Sequence, residues 1–354
     1  MKRFIYLLAT DKIKKSILCS ILQFILWVLS LLYSCTVRCI SFCYDRKIFK
    51  SKKLPHPVIS VGNIVLGGTG KTPVVEFIAK MLKSKGFKPA ILTRGYMAKS
   101  KTSKESDEAK MLQEELKDVP VIIDPNRFRG ASRFLKDNSV DVFIMDDGYQ
   151  HRKLYRDLNI ACVDSTSPYG NGNLIPRGIL REPLNSISRS DLILLTKVNA
   201  SRSKGKDFIK YLNNGSISAP IVEVSHKAVM FINIRLKSDV ELSFVDAKNI
   251  CCFCSIADPK YFEDTLIGLG ANIRKSFQFM DHHIYKRKDL MQIKNYCKRH
   301  GIKTIVTTEK DSVKLDKFFD IFEDDISIVA LRIEIFIEKG KDVFVDRILG
   351  VLSS

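Results

Sequence analysis

The sequence predicts an α/β protein with a parallel-sheet core domain, a second, smaller α/β domain and an N-terminal membrane helix. Three observations predict it. Short apolar runs alternate with amphipathic stretches through most of the 354 residues. Those runs are continuously apolar, the mark of strands covered on both faces. A glycine-rich turn, Gly67-Gly68-Thr69-Gly70-Lys71-Thr72, follows the first run and opens a helix.

The first element is the apolar segment Ile17–Val37, 21 residues without a charge and with Gln23 as its one strongly polar member. At 1.5 Å per residue it reaches about 30 Å, the thickness of a bilayer's hydrocarbon core. A full span fits that length. Ser16, Ser20, Ser30 and Ser34 equally allow a helix lying in the interface. A cleaved signal peptide needs a shorter stretch and a small-residue cleavage site.

The formal charge is +19, and residues 1–56 hold eleven Lys/Arg against two Asp, so +9 of it flanks the apolar segment. The denser basic cluster (Arg46, Lys47, Lys50, Lys52, Lys53) lies on its C-terminal side. That favours a cytoplasmic location for the rest of the chain and attraction to an anionic membrane surface. A nucleic-acid binder would carry its charge on one face of the folded domain, so no nucleic-acid partner is expected. The nine cysteines form no disulfide framework and fit a reducing compartment.

After a linker at Ser51–Pro57 the elements alternate. Strands are expected at Val58–Val61, Pro89–Thr93, Val121–Ile123, Val140–Met145, Leu158–Val163 and Leu192–Leu195. Helices are expected at Thr72–Lys85, Asp107–Leu116 and Arg127–Lys136. Ser165–Pro183, rich in Gly, Pro and Asn, has no periodicity, and long irregular stretches inside domains are usually functional. From Val229 the pattern restarts, with strands at Val229–Leu236, Ile250–Cys254, Ile305–Thr307 and Ile326–Ile335. Helices at Pro259–Leu269, Lys288–His300 and Lys341–Leu352 complete it. The expected division is therefore an anchor and basic linker over 1–50, a core domain over 51–228 and a smaller domain over 229–354.

Strand, glycine turn and helix together read as a P-loop, so the core is expected to be P-loop NTPase-like. Backbone N–H groups converge on phosphate oxygens, Lys71 reaches the β/γ-phosphates and Thr72 holds Mg²⁺. The strict pattern begins with glycine, and this chain has Val65 there. Asp146-Asp147 ends the most apolar strand and reads as the metal-binding pair. Thr196-Lys197-Val198-Asn199 resembles a GTPase base-reading element, but Asn199 replaces its aspartate, which leans towards ATP. Arg177 and Arg181, in the irregular stretch, are candidates to hold a sugar phosphate bidentately.

Several blocks then converge on one family. VGNIVLGGTGKTP (61–73), LTRGY (92–96), SDEAKML (106–112), DDGYQHRKLYRDLNI (146–160), NGNLIPRGILREPL (171–184) and FMDHHIY (279–285) resemble the tetraacyldisaccharide 4'-kinase family. The resemblance runs in order from the anchor to about residue 311. It implies an inner-membrane kinase with its catalytic part on the cytoplasmic face. That kinase transfers the γ-phosphate of MgATP to the 4'-hydroxyl of a lipid A precursor, a tetra-acylated disaccharide 1-phosphate.

The resemblance also implies roles for residues. Asp107 is the catalytic carboxylate, with Glu108 beside it on the substrate side, and its partner is a histidine of Asp281-His282-His283. Arg127 and His151 are implied as substrate or phosphate contacts. Ala109 stands where relatives usually carry proline. Chemistry supports a base at Asp107, since a sugar hydroxyl is a poor nucleophile and a carboxylate within about 3 Å can take its proton. On the residues alone Asp107 also reads as a helix N-cap. With Asp107 in the core and the histidines in the smaller domain, the dyad is expected to assemble on domain closure. The alternative is a membrane-tethered P-loop ATPase acting as a switch or positioning factor, which needs neither the histidine pair nor the irregular stretch.

Overall fold

A computed structural model describes residues 7–9, 11, 16–95, 107–200, 202–215, 217–281, 283–322 and 326–353. The chain divides into two units. The first comprises residues up to Gly95, Leu116–Ser225 and the stretch from Phe336; the second comprises His226–Ile335 and one helix from earlier in the chain.

The apolar segment forms α1 (Ile17–Asp45), capped by the Ser16 side chain on the Cys19 N–H. It is the one described helix long and apolar enough to cross a membrane. Then follow β1 (Val58–Gly62), α2 (Lys71–Ser84), β2 (Pro89–Thr93), α3 (Asp107–Glu115), β3 (Val121–Ile123) and α4 (Arg127–Phe134). Next come β4 (Val142–Asp146), β5 (Leu158–Asp164), β6 (Leu192–Thr196), α5 (Arg202–Asn214) and β7 (Ile221–Asn233).

The strands of the first unit lie in the order β7-β6-β5-β1-β4-β2-β3, every pair parallel. β1, β2, β4, β5 and β6 are buried along their whole length, as continuous apolar runs require. The chain passes from β4 across β1 to β5, which makes a switch point beside β1. Register places Val61 against Asp146 and Gly62 against Ala161, so the carboxyl ends of these strands share one edge. Ligands of such sheets bind there.

The second unit holds β8 (Ser238–Val240), β9 (Asn249–Cys254), α6 (Pro259–Gly268), β10 (Asn272–Gln278) and α7 (Arg287–Arg299). It continues with β11 (Thr304–Thr308), the short α8 (Glu309–Ser312) and β12 (Ser327–Lys339). Its order is β10-β9-β11-β12-β7, with β8 antiparallel on β7. Residues of β9 alternate between two cores. Cys251 and Phe253 join Leu290 and Ile293 of α7, while Ile250, Cys252 and Cys254 join Phe262 and Leu266 of α6. Asp258 caps the Tyr261 N–H with Pro259 in the first turn, so an Asp-Pro pair starts α6.

The units cut across the division expected from chain order. β12 runs on past Ile335 and returns the chain to the first unit, where α9 (Lys341–Gly350) sets Phe344 against Phe77 of α2 at 5.8 Å. α3 belongs to the second unit, because Lys110 pairs with Asp316 at 2.6 Å and Glu115 pairs with Arg332. Asp107 and the Asp281-His282-His283 segment therefore share a unit, and no domain closure is needed to bring their elements into one body.

Periodicity did not signal α5 or β10. α5 carries Gly205 and four lysines or arginines among 13 residues, and β10 is an edge strand with mostly exposed or half-exposed residues.

Candidate functional site

The glycine loop leaves β1 at Asn63 and ends at Gly70, whose φ of +78° is a left-handed conformation that a side chain disfavours. Gly70 is the N-cap of α2 and supplies no side-chain hydrogen bond, so the helix's first N–H groups are left for a ligand. Val65, at the expected glycine position, is buried with Leu180 and Tyr149 and forms a bridge to Leu180. Its neighbours extend that pairing: the Leu66 N–H donates to the Ile179 carbonyl at 2.6 Å and the Arg181 N–H to the Ile64 carbonyl at 2.7 Å. The first half of the loop is thus stitched to the irregular stretch, where a β-branched residue is favourable.

The second half is fixed by side chains that sequence reasoning assigned no such role. The Asn63 amide donates to the Thr69 hydroxyl at 3.0 Å, and the Thr196 hydroxyl donates to the Thr69 carbonyl at 2.9 Å. Gln150 donates to the Asn63 carbonyl at 2.9 Å and to Glu182 at 3.0 Å. Lys197 is buried and pairs with Asp164 at 2.5 Å. Thr196 therefore braces the loop and Lys197 an adjoining strand end. Asn63, Gln150 and Glu182 lie in the quoted blocks, while Thr196, Lys197 and Asp164 lie in none of them.

Beside the loop, Asp146 ends β4, and Asp147 turns at φ +48°, which aspartate tolerates better than most residues. Gly148 must follow, since a Cβ there would lie 2.5 Å from Ser60 Oγ and 2.8 Å from Met145 Cε. Asp147 lies 3.6 Å from Lys71 Nζ and accepts from Arg181 at 2.9 and 3.3 Å. Burial pushes its carboxyl up, but Lys71, Arg181 and Arg127 outweigh burial and hold it below the usual range.

Arg127 opens α4, is buried, and has an Nε without a hydrogen-bond partner among the described residues. Such a donor is costly unless an anion meets it. Burial, then the charges of Arg127, Lys153, Arg156 and Arg94, hold His151 down at about 4, so it is neutral at pH 7.

The other predicted residues are placed differently. Arg177 does not face this site: its guanidinium lies on Asp11 at 2.8 Å and its N–H donates to Ser30 Oγ at 2.9 Å. In the second unit Asp107 lies in the first described turn of α3, and Ala109 and Leu112 are fully buried, so alanine continues the helix where relatives usually carry proline. The side chains of Asp107 and Glu108, and the whole of His282, lie outside the described residues. His283 bonds Asp289 at 2.9 Å and stacks on Phe279 at 4.7 Å between ring centroids. Asp281 pairs with Lys310 of α8 at 3.0 Å.

Within α8, the fully buried Asp311 accepts from the Ser255 N–H at 2.8 Å, the Thr308 hydroxyl at 2.8 Å, the Ser255 hydroxyl and Lys314 at 3.0 Å. Arg332 joins Glu309 at 3.5 Å to Glu115 of α3. One short helix thus ties α3 to the segment of Asp281.

Among the described residues no cluster of three or more His, Cys, Asp or Glu is arranged to hold a metal ion. The Thr72 hydroxyl and the Asp146-Asp147 carboxylates are hard oxygen donors, a set that fits Mg²⁺ when ATP phosphates complete the shell.

Residues 22–352 match the family model described as Tetraacyldisaccharide-1-P 4'-kinase. The tetraacyldisaccharide 4'-kinase of Syntrophus aciditrophicus is 36% identical over 313 residues, covering 82% of this chain and 84% of its own. That of Halothermothrix orenii is 31% identical and covers 93% of each. A crystal structure of LpxK from Aquifex aeolicus, in complex with ATP, superposes with a TM-score of 0.74 at 29% identity, covering 94% of this chain and 99% of that one.

Proposed function

Because the chain belongs to the tetraacyldisaccharide 4'-kinase family, we propose a working site in which the Lys71 loop takes the phosphates and Asp107 takes the acceptor's proton. The reaction is the ATP-dependent phosphorylation of the lipid A precursor, tetraacyldisaccharide 1-phosphate, on its 4'-hydroxyl. The observation that carries the reading is the uncapped N-terminus of α2 beside Lys71 and Asp147.

Gly67, Gly68, Thr69 and Gly70 cradle the ATP phosphates through backbone N–H groups, and Lys71 follows the γ-phosphate as charge spreads over its oxygens. Thr72 and Asp146 would hold Mg²⁺, which would neutralise phosphate charge. Asp147, already claimed by Lys71 and Arg181, aligns those two cations and adds to the metal's surroundings. Arg127 and Arg181 receive phosphate oxygens, and neutral His151 offers a hydrogen bond without a charge. Asp107 accepts the 4'-hydroxyl proton, Glu108 contacts the substrate, and the Asp281-His282-His283 segment orients the base. α1 attaches the enzyme to the cytoplasmic face of the inner membrane, where its basic flank meets anionic lipid.

The test is phosphate transfer from ATP to a disaccharide 1-phosphate acceptor by the detergent-purified protein. Asp107→Ala is expected to lose transfer by about 10²–10³ while ATP affinity stays within about twofold. Undiminished transfer by that variant would place the base elsewhere.

A further inference from the structure

Arg181 projects from a stretch with no helix or ladder of its own. Between β5 and β6 the chain from Leu174 to Arg181 makes only isolated bridges, Leu174 to Leu180 and Leu180 to Val65. Irregular backbone of this kind is placed by whatever its N–H and carbonyl groups are bonded to, and so are its side chains.

Three supports close on the stretch, all within the first unit. From the phosphate loop, the Leu66 N–H donates to the Ile179 carbonyl at 2.6 Å, and the Ile64 carbonyl accepts the Arg181 N–H at 2.7 Å. At its C-terminal end, Glu182 accepts from Gln150 at 3.0 Å and pairs with Arg189 at 2.6 Å. The third support is α1. Ser30 is 5% exposed, accepts the Arg177 N–H at 2.9 Å and shares its own proton between the Leu26 and Leu174 carbonyls at 2.9 and 2.8 Å. Three residues on, along the same face, the Tyr33 hydroxyl donates to the Arg181 carbonyl at 2.8 Å.

The residue that Tyr33 holds by its backbone carries the guanidinium bonded to Asp147 at 2.9 and 3.3 Å, and Asp147 lies 3.6 Å from Lys71 Nζ. One bonded path therefore runs from α1 through Arg181 to Asp147 and Lys71. Attachment to lipid needs no such path. The exposed Ile21, Val28 and Leu32 lie on the opposite side of the helix. Burying the Ser30 hydroxyl costs free energy unless it is bonded, and leucine in its place would serve attachment as well.

We propose that Ser30 and Tyr33 are positioning residues for phosphoryl transfer. From α1 they set the backbone of Leu174–Arg181 so that the Arg181 guanidinium stands on Asp147 beside Lys71. Their effect passes through Arg181 and is separate from membrane attachment. This rests on the phosphate-binding role proposed for Arg181 above.

Tyr33→Phe removes one bond and keeps the ring, and Ser30→Ala removes the bonds to Leu174 and Arg177. Transfer by the detergent-purified full-length chain is measured in micelles of constant composition, with ATP and a disaccharide 1-phosphate acceptor varied in turn. A misplacement of about 1 Å can cost about 10² in rate, and these variants shift the clamp by less. Tyr33→Phe is expected to lower kcat about fivefold and the double variant about twentyfold, with the acceptor KM within about twofold of the parent. An unchanged kcat, or a loss confined to the acceptor KM, overturns the proposal, because α1 would then act in attachment alone.

A double-mutant cycle with Arg181→Ala tests the route. In that background Tyr33→Phe is expected to change kcat by less than about 1.5-fold, since no guanidinium is left to place. The same fivefold loss in both backgrounds overturns the route through Arg181, and it is also what a mere loss of folded protein would give. Undiminished transfer by Arg181→Ala itself refutes the phosphate-binding role of Arg181, a separate failure.

Discussion

The phosphate loop and the segments proposed for the acceptor side are built from different materials. In the first unit the loop, the α2 N-terminus and the β4 turn offer mainly backbone N–H groups, and strand register sets where they point. Around them, Asn63, Thr196, Gln150, Asp147 and Arg181 hold the loop by side-chain bonds. In the second unit α8 ties α3, through Arg332 and Glu115, and Asp281, through Lys310, by side-chain ion pairs. A backbone cradle leaves few side chains whose loss is fatal. A side-chain constellation depends on each support beneath it.

The sharpest break in that comparison is Lys71→Ala. Lys71 is the one P-loop side chain expected to follow the transferring phosphate, so its loss should lower kcat by about 10³. Steady-state transfer assays check this, with ATP affinity reduced far less because the backbone cradle remains. Asp147→Asn keeps shape and removes the charge that aligns Lys71 and Arg181, and a fall in kcat of about 10–100-fold is expected. If Asp147→Asn proved as damaging as Lys71→Ala, Asp147 would act on the reacting groups directly.

The same contrast explains what could be read in advance. Glycines with required conformations, such as Gly70, and fully apolar strands leave local marks, so the nucleotide loop and the parallel sheet were legible. Thr196 and Asn63 carry no mark of their own, because a hydroxyl bonded to a carbonyl 127 positions away has no periodicity. Arg177 looked like a phosphate ligand by charge alone, and only the fold shows Asp11 on its guanidinium. α3 was assigned to the core by chain order, while its ties to Asp316 and Arg332 come from residues some 200 positions later. The acceptor side was legible only through the family resemblance, since no residue type identifies one sugar hydroxyl among several.

Support on the acceptor side can be tested as stability. Asp311 is fully buried with Lys314, and although burial pushes its carboxyl up, Lys314 and the Ser255 groups hold it below the usual range. Asp311→Asn removes the carboxylate charge that pairs with the buried Lys314, and a loss of about 3 kcal/mol is expected from breaking such a pair. Denaturant unfolding measures it, and ATP affinity should change little if the effect is confined to the second unit. A neutral result would mean that Lys314 finds water or sheds its proton at little cost.

The smallest effect concerns His151, on the phosphate side. Its folded value of about 4 lies below the ordinary histidine value of 6.5, so between the two pH values the unfolded chain binds more protons than the folded one. Stability from this group is therefore complete above pH 6.5 and declines as pH falls towards 4. His151→Gln removes the titration and should flatten that part of the stability curve, leaving the decline below pH 4 to the carboxylates. A nuclear magnetic resonance titration of the imidazole gives the direct reading. A midpoint near 4 means that burial, helped by the charges of Arg127 and its basic neighbours, keeps the ring neutral in a corner that suits an anionic phosphate. A midpoint near 6.5 would mean that water reaches the ring, and His151 would then gain a charge just below neutral pH.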